Sequence, residues 1–235
     1  MTSDVPTVEA RGVTKEYDDL RAVDHVTLTV GSDGLHCLVG PNGSGKTTLF
    51  RLLAGLTNPT EGSVRRPTEA MGIGFQHPTF YRRFTVAENL EVFADLVGAD
   101  ADWRATLVEQ FDLAPVVDRQ AAALSGGQAN KLDLALAMLG RPEILLVDEP
   151  LGDLDDVSRE RVVRFLDEYA AGSRTVLVAT HRLGAFEGAL DRLTVFRRGQ
   201  VLFDAAGDRL DAALEPDGAH AHYLDLLSGE NGTPD

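Results

Sequence analysis

The chain has 235 residues, of which 43% are apolar, and it carries a formal net charge of −15. This length fits one large domain or a core with one inserted subdomain, and the apolar content excludes a wholly disordered chain. So acidic a surface argues against nucleic acid as a partner, because binding DNA requires cations that displace counterions from phosphates. The single cysteine, Cys37, excludes an internal disulfide and is typical of a reducing compartment.

The basic residues are biased towards arginine, since only three of the 22 are lysines: Lys15, Lys46 and Lys131. One explanation of the acidity is adaptation to a cytoplasm of high salt, where screening removes the self-repulsion of the surface. The other is an ordinary acidic protein encoded by an arginine-biased genome. Composition leaves both explanations open.

Neither a signal peptide nor a membrane-spanning helix is expected. The first ten residues, MTSDVPTVEA, lack a basic region followed by an apolar stretch. The longest apolar runs, such as ILLV at positions 144–147, are too short to cross a bilayer.

Taken in chain order, the predicted elements alternate between strands and helices, which indicates an α/β core with a mainly parallel sheet. A β-rich opening precedes this core, and Leu49, Leu52, Leu53 and Leu56 are predicted to share one face of the first helix. A mainly helical block interrupts the alternation and is predicted to be an inserted subdomain. The predicted elements are strands over 22–30, 35–40, 71–76, 144–149 and 175–180, helices over 43–56, 85–113, 130–139 and 158–170, and a hairpin over 192–203 that turns at Arg198–Gly199.

The segment GPNGSGKTT is a phosphate-binding loop by its pattern, G-x-x-x-x-G-K-[ST], and by its place between a predicted strand and a predicted helix. Glycines let successive backbone N–H groups turn inward around an anion, and the helix that follows adds its positive end. We predict that Lys46 reaches the β- and γ-phosphates and that the Thr47 hydroxyl binds Mg²⁺. The predicted nucleotide contacts here are Gly40, Pro41, Asn42, Gly43, Ser44, Gly45, Lys46, Thr47 and Thr48.

Two adjacent carboxylates end the strand in ILLVDEP. Asp148 is placed to hold Mg²⁺, and Glu149 is the candidate general base that activates water. Acidic residues are also favoured at helix N-termini, but the phosphate loop elsewhere in the chain favours the catalytic interpretation.

A second glycine-rich stretch, LSGGQ, lies at positions 124–128. With GPNGSGKTT before it and ILLVDEP after it, this stretch completes a set of three motifs. In their order and spacing, the motifs resemble those of the ATPase subunit of an ABC transporter, and the resemblance covers nearly the whole chain. The resemblance implies a P-loop NTPase core with an N-terminal antiparallel β portion (residues 1–84 and 140–210), a helical subdomain with the signature motif (85–139) and a C-terminal tail (211–235).

The resemblance also implies a head-to-tail dimer, homomeric or heteromeric, in which the signature motif of one subunit closes over ATP held by the other. A glycine corner that opens a helix is itself an anion site, which agrees with this role. An ordinary N-capped helix with Ser125 as its cap is the alternative. The signature residues assigned to ATP are Ser125, Gly126, Gly127 and Gln128.

Four further roles follow from the resemblance alone. Tyr17 is expected to stack on adenine, Gln76 to sense Mg²⁺ and the attacking water, and His181 to contact the γ-phosphate. Asp155 matches the aspartate of the loop that crosses between the two sites. The chain departs from the family pattern at Leu151 and Gly152 of that loop, which weakens the expected communication between the sites more than it weakens catalysis.

Phe80, Tyr81 and Phe84 are expected to form a cluster of exposed aromatic side chains in a loop within residues 77–90. In the family this is where the membrane subunit docks. We therefore expect a transmembrane permease as partner, and a peripheral location on the cytoplasmic face of the membrane. A loop folded onto its own subdomain is the alternative. TVAENLEVFADLVGA and the short length resemble exporters of the drug type, although importers share all the catalytic motifs. A soluble ATPase of iron–sulfur cluster assembly remains a second possible function.

Overall fold

The computed structural model describes residues 6–31, 34–67, 71–77, 79–214 and 218–228, which form nine strands and seven α-helices. The strands are Val8–Tyr17 (β1), Leu20–Val30 (β2), Gly34–Val39 (β3), Glu61–Arg65 (β4), Gly72–Gly74 (β5), Ile144–Asp148 (β6), Thr175–Thr180 (β7), Arg192–Arg197 (β8) and Gln200–Ala206 (β9). The helices are Lys46–Leu53 (α1), Val86–Val97 (α2), Ala101–Gln110 (α3), Gly126–Met138 (α4), Asp156–Ala170 (α5), Asp208–Leu214 (α6) and Gly218–Ser228 (α7). Short 3₁₀ turns lie at Ala114–Val116, Ala121–Ala123 and Leu183–Ala189.

Within these ranges the strands form two sheets. The smaller is antiparallel, in the order β2-β1-β4, and the larger has the order β5-β6-β7-β3-β8-β9. Every pair in the larger sheet is parallel except β8 with β9, which form the predicted hairpin. The prediction of a mainly parallel α/β core with an antiparallel N-terminal portion is confirmed.

A helical block made of α2, α3 and α4 is inserted between β5 and β6. Its helices begin at capping residues, because an N-terminal turn leaves backbone N–H groups that a side-chain oxygen can accept. Thr85 and Glu88 form a reciprocal capping box at α2, and Asp100 caps α3. The predicted helical insertion is therefore present, while the bounds of residues 85–139 for a separate subdomain stay a prediction.

The phosphate-loop helix α1 is fixed by its apolar face. Leu49, Leu52 and Leu53 are fully buried between the two sheets, and each contributes about 1.5–3 kcal/mol relative to an exposed side chain. The prediction that Leu56 shares this face is wrong, because α1 ends at Leu53 and Leu56 is 50% exposed. The chain turns at Gly55, whose φ is +78°.

The C-terminal helices pack on the core in the region assigned to a tail from residue 211. The Ala219 N–H of α7 donates to Glu187 at 2.5 Å, and the rings of Phe203 and His222 meet edge to face. Positions 215–217 and 229–235 lie outside the described residues. No helix in the described ranges has both the length and the apolar content needed to cross a bilayer.

Candidate nucleotide site

The parallel sheet brings the predicted site residues to one edge. Carboxyl ends of parallel strands lie on the same side of a sheet, where ligands of open α/β folds bind. The phosphate loop follows β3, Gln76 follows β5, Glu149 follows β6 and His181 follows β7. Residues separated by more than a hundred positions in the chain therefore meet in space.

The phosphate loop has the geometry of an anion cradle. Gly45 has φ +100°, and a side chain there would collide with the Ala22 carbonyl, while a side chain at Gly40 would collide with the Phe196 carbonyl. Only glycine fits both positions, because neighbouring backbone leaves no room for a Cβ. Among the residues that the structure describes, the buried Ser44 hydroxyl has no hydrogen-bond partner, which fits a loop shaped for a ligand oxygen.

Lys46 folds back over this loop. Its Nζ donates to the carbonyls of Gly40 at 2.6 Å and Pro41 at 3.1 Å. Burial lowers the pKa of this lysine, while the carboxylates of Glu149 and Asp148 act in the opposite direction. The ammonium group is thus held at the centre of the loop.

Thr47 and Asp148 form the part of the site suited to a divalent cation. The Thr47 side chain hydrogen-bonds Asp148, and the pKa of this carboxyl is raised from 3.8 to about 6, mainly by burial and then by the charge of Glu149. A hydroxyl and a carboxylate are hard oxygen ligands of the kind that Mg²⁺ prefers. These residues therefore fit the metal that the sequence predicts.

Asp148→Asn is expected to stabilise the nucleotide-free, metal-free protein at pH 7.5 and to have much less effect at about pH 4. The folded-state pKa of about 6 lies above the ordinary 3.8, so ionisation disfavours folding. This penalty is absent below the unfolded-state pKa, builds up as pH rises from 3.8 to about 6, and is complete above that range. Thermal unfolding in EDTA measures it, as a Tm gain of a few degrees at the higher pH and a much smaller gain at about pH 4. Asp95→Asn, on the exposed surface of α2, is the control. An equal loss of Tm at both pH values would contradict the assignment.

Glu149 is held in a backbone conformation that is uncommon for a non-glycine residue, with φ +51°; such conformations occur in turns and cluster at functional sites. Its Oε1 lies 2.7 Å from Nδ1 of His181 and accepts the His181 backbone N–H at 3.0 Å. Its Oε2 accepts the Thr180 hydroxyl at 3.1 Å. The carboxylate is thus fixed by the end of β7, and Glu149 and His181 are brought together as a pair.

A cavity of about 580 Å³ opens between the phosphate loop, Gln76 and Glu149. Asn42 to Thr48 of the phosphate loop, Gln76 and Glu149 line it, together with Leu20, Arg21, Ala22, Arg198 and Gly199. Tyr17 is not among the described lining residues. It ends β1, is 43% exposed, and carries the Lys15 ammonium 5.0 Å from its ring centroid.

The signature motif lies away from this cavity, on the helical subdomain. Ser125 caps α4 in a reciprocal box with Gln128, as the simple capping interpretation also requires. A side chain at Gly126 would collide with the Asp153 carboxylate. The loop of residues 151–155, which follows Glu149, therefore contacts the signature motif of its own chain. Asp155 caps α5, since its carboxylate accepts the Ser158 N–H at 2.8 Å and the Ser158 hydroxyl at 2.9 Å.

Sequence reasoning missed three contributors to this region. Thr180 fixes Glu149, Arg198 lines the cavity from the β8–β9 turn, and Asp133 of α4 binds the backbone on both sides of Gln76. Thr180 directly precedes His181 at a strand end, which was an available signal. The other two become visible only when distant segments are placed together.

The fold and the site together define a P-loop nucleotide-binding protein. The ABC transporter family model matches residues 23–152, and the chain belongs to this family as one of its ATPase cassettes.

Two relatives and one solved structure illustrate the likeness. A daunorubicin resistance ATP-binding protein of Streptomyces coeruleorubidus is 37% identical over 218 residues, covering 86% of this chain and 68% of that protein. A sulfate/thiosulfate import ATP-binding protein of Agrobacterium fabrum is 35% identical over 83% of this chain and 62% of its own length, so this chain spans less than two thirds of that relative. The solved structure of an ATP-binding subunit of an ABC transporter, 22% identical, has a TM-score of 0.82 over 94% of this chain and 99% of that chain.

Proposed function

We propose that this cassette hydrolyses Mg²⁺-ATP at a head-to-tail interface with a second cassette, and that it drives export through separate transmembrane subunits. The observation that carries the proposal is the separation of two anion-binding elements. The phosphate loop lines the chain's own cavity, whereas the signature caps a helix elsewhere. A glycine-rich helix start of this kind can serve a nucleotide bound to another chain.

The residues that line the cavity and those that contact them divide the chemistry of hydrolysis. The phosphate loop and Lys46 bind the β- and γ-phosphates, while Thr47, Asp148 and Gln76 would hold Mg²⁺. When bound, this ion neutralises charge on the phosphate oxygens. Glu149 accepts a proton from the attacking water while the water oxygen bonds to the γ-phosphorus. The bond between the γ-phosphorus and the β–γ bridging oxygen breaks, which gives ADP and phosphate. His181 orients Glu149 through the 2.7 Å contact.

The second cassette would supply a cover for the γ-phosphate that this chain's own cavity lacks. Tyr17 of the chain that holds ATP would stack on the adenine, and the signature motif of the partner would cover the γ-phosphate. Ser125, Gly127 and Gln128 carry this contact, with Asp155 in the loop that crosses between the sites. The proposed arrangement is the same for a homodimer and for a heterodimer with a related cassette.

The membrane subunit is proposed to dock beside Gln76. Tyr81 and Phe84 are 52% and 39% exposed, and their ring centroids lie 5.1 Å apart. Phe80 is only half-exposed and packs against the core, which corrects its assignment to the exposed cluster. Nearby, an apolar groove of about 180 Å³ is lined by Phe75, Phe93, Val97, Leu136 and Pro142, among others. Pro78, which belongs to the predicted docking segment of residues 77–90, lies outside the described residues.

Purification of tagged Glu149→Gln protein from detergent-solubilised native membranes, with ATP and high salt, tests the proposal. A polytopic membrane protein in stoichiometric amount is the expected companion. Tyr81→Ser should reduce its recovery, and Leu224→Ser, at an equally exposed site on α7, should not. Recovery only from the soluble fraction with soluble partners would refute transport and favour iron–sulfur cluster assembly.

The direction of transport is tested with the purified complex in liposomes that carry the cassettes outside. The export proposal is supported by likeness to the daunorubicin resistance relative, and it predicts ATP-dependent accumulation of daunorubicin or a similar amphiphile in the lumen. The import alternative, to which the sulfate/thiosulfate relative points, predicts ATP-dependent release of sulfate loaded into the lumen.

A further inference from the structure

Asp133 is a buried carboxylate on α4 that sequence reasoning assigned to no function. It is 5% exposed, and its Oδ2 accepts the Phe75 N–H at 2.7 Å while its Oδ1 accepts the Thr79 N–H at 3.0 Å. Burial raises its pKa, and these two N–H groups act in the opposite direction. In the described ranges no lysine or arginine forms an ion pair with it. A charge buried at this cost, where its helix neighbours Leu132 and Leu134 are apolar, requires an explanation.

The two N–H groups enclose the residue that meets the nucleotide. Gln76 lies directly after Phe75 and lines the cavity with Glu149. Phe75 in turn follows β5, which pairs with the strand that ends at Asp148. A single carboxylate thus fixes the backbone on both sides of Gln76. We refer to residues 75–77 and Thr79 as the glutamine segment.

The helix that carries Asp133 also carries the signature. Ser125 caps α4, and Asp133 follows eight residues later, which corresponds to about 12 Å along an α-helix. A helix with intact hydrogen bonds does not change length appreciably over two turns. The glutamine segment of one nucleotide site and the signature that serves the other are therefore attached to the same rigid rod.

We propose that Asp133 is a positioning residue that makes the glutamine segment and the signature end of α4 move as one unit. Gln76 then reaches its working position only when the helical subdomain presents Ser125 to the partner's nucleotide. This inference rests on the proposed ATPase function, and it assigns Asp133 no contact with ATP, metal or water. Asp133 acts only through the backbone of Phe75 and Thr79.

Two substitutions that keep the branching of the side chain at Cγ grade the effect. Asp133→Asn keeps one acceptor, whereas Asp133→Leu removes both. We expect the dissociation constant for ATP to stay within about twofold, because the phosphate loop is untouched, and kcat to fall in the order wild type, Asn, Leu. The fall for Leu should reach about tenfold to hundredfold, as expected for a small displacement of a catalytic group.

Asn89→Ala is the matched control for stability. Asn89 is also fully buried and binds the backbone of Tyr81, further along the same connection, through bonds of 2.8 and 3.0 Å. It should lower Tm without lowering kcat of the folded fraction, since it does not enclose Gln76. If Asp133→Leu instead lowers Tm, ATP affinity and kcat in parallel, its role is structural only and the proposal is overturned.

A distance measurement reports the coupling directly. Spin labels on Ser63→Cys of β4 and Ala105→Cys of α3, both exposed, span the core and the subdomain, while buried Cys37 stays unlabelled. In the Glu149→Gln background, ATP should shift the distance distribution of the parent protein. Asp133→Leu should bind ATP equally but show a broad distribution that responds weakly.

An unchanged kcat together with the parent's ATP-dependent shift would overturn the proposal. Titration of the parent protein with ATP comes first, and absence of binding there would refute the proposed function instead. The two failures are therefore distinguishable.

Discussion

Glu149→Gln is expected to lower kcat for ATP hydrolysis by about 10²–10⁴-fold, the range for loss of a positioned general base. Glutamine keeps the size of the side chain, and its one carbonyl oxygen can still accept the His181 N–H, which binds Oε1 of the carboxylate at 3.0 Å. The bond that Oε2 accepts from the Thr180 hydroxyl at 3.1 Å is lost, because the amide nitrogen is a donor. Glutamine also loses the ability to take a proton from water. ATP binding should survive, so that the variant accumulates as a closed, ATP-bound dimer.

Glu143→Gln is the matched control, because Glu143 is exposed just before the start of the same strand, β6, that Glu149 follows. Steady-state phosphate release, and size-exclusion chromatography with ATP, measure the two effects. A Glu149→Gln variant that keeps more than a tenth of the wild-type kcat would show that another group activates water.

Lys46→Ala is expected to weaken ATP binding by about a hundredfold. Hydrogen bonds from a charged donor contribute about 1.5–3 kcal/mol each, and every 1.4 kcal/mol is a factor of ten in affinity. Part of this gain is offset in the empty protein, where the ammonium already bonds to the carbonyls of Gly40 and Pro41. ATP should therefore be bound by exchange of these two bonds for bonds to phosphate oxygens.

Lys131→Ala provides the comparison for Lys46, since its side chain is only 12% exposed and its nearest carboxylate, Asp112, lies 3.9 Å away. Isothermal titration calorimetry with ATP gives the dissociation constant of each variant. Its dependence on salt concentration reports how much of the binding free energy is electrostatic. Equal losses in the two variants would mean that the effect comes from net charge on this acidic protein and not from the phosphate loop.

The phosphate loop, the Asp148–Glu149 pair and the helix caps were predictable from sequence because each is formed by neighbouring residues. The glycine spacing of Gly40 to Gly45 specifies backbone geometry locally, and Ser125 with Gln128 specifies a helix start. Strands β1 and β4 were missed for a physical reason. Several register shifts interrupt the pairing of β1 with β2, and four of the five residues of β4 are exposed, so neither strand shows clean alternation.

The tertiary structure decided which of these local units meet. The sequence by itself determined the class of site, since an anion cradle, a metal-binding carboxylate and a base are encoded in short contiguous segments. Only the parallel sheet places His181 against Glu149, and only the packing of α4 on β5 places Asp133 at the ends of the glutamine segment. Such contacts depend on the burial and pairing of strands far apart in the chain, which no local pattern specifies.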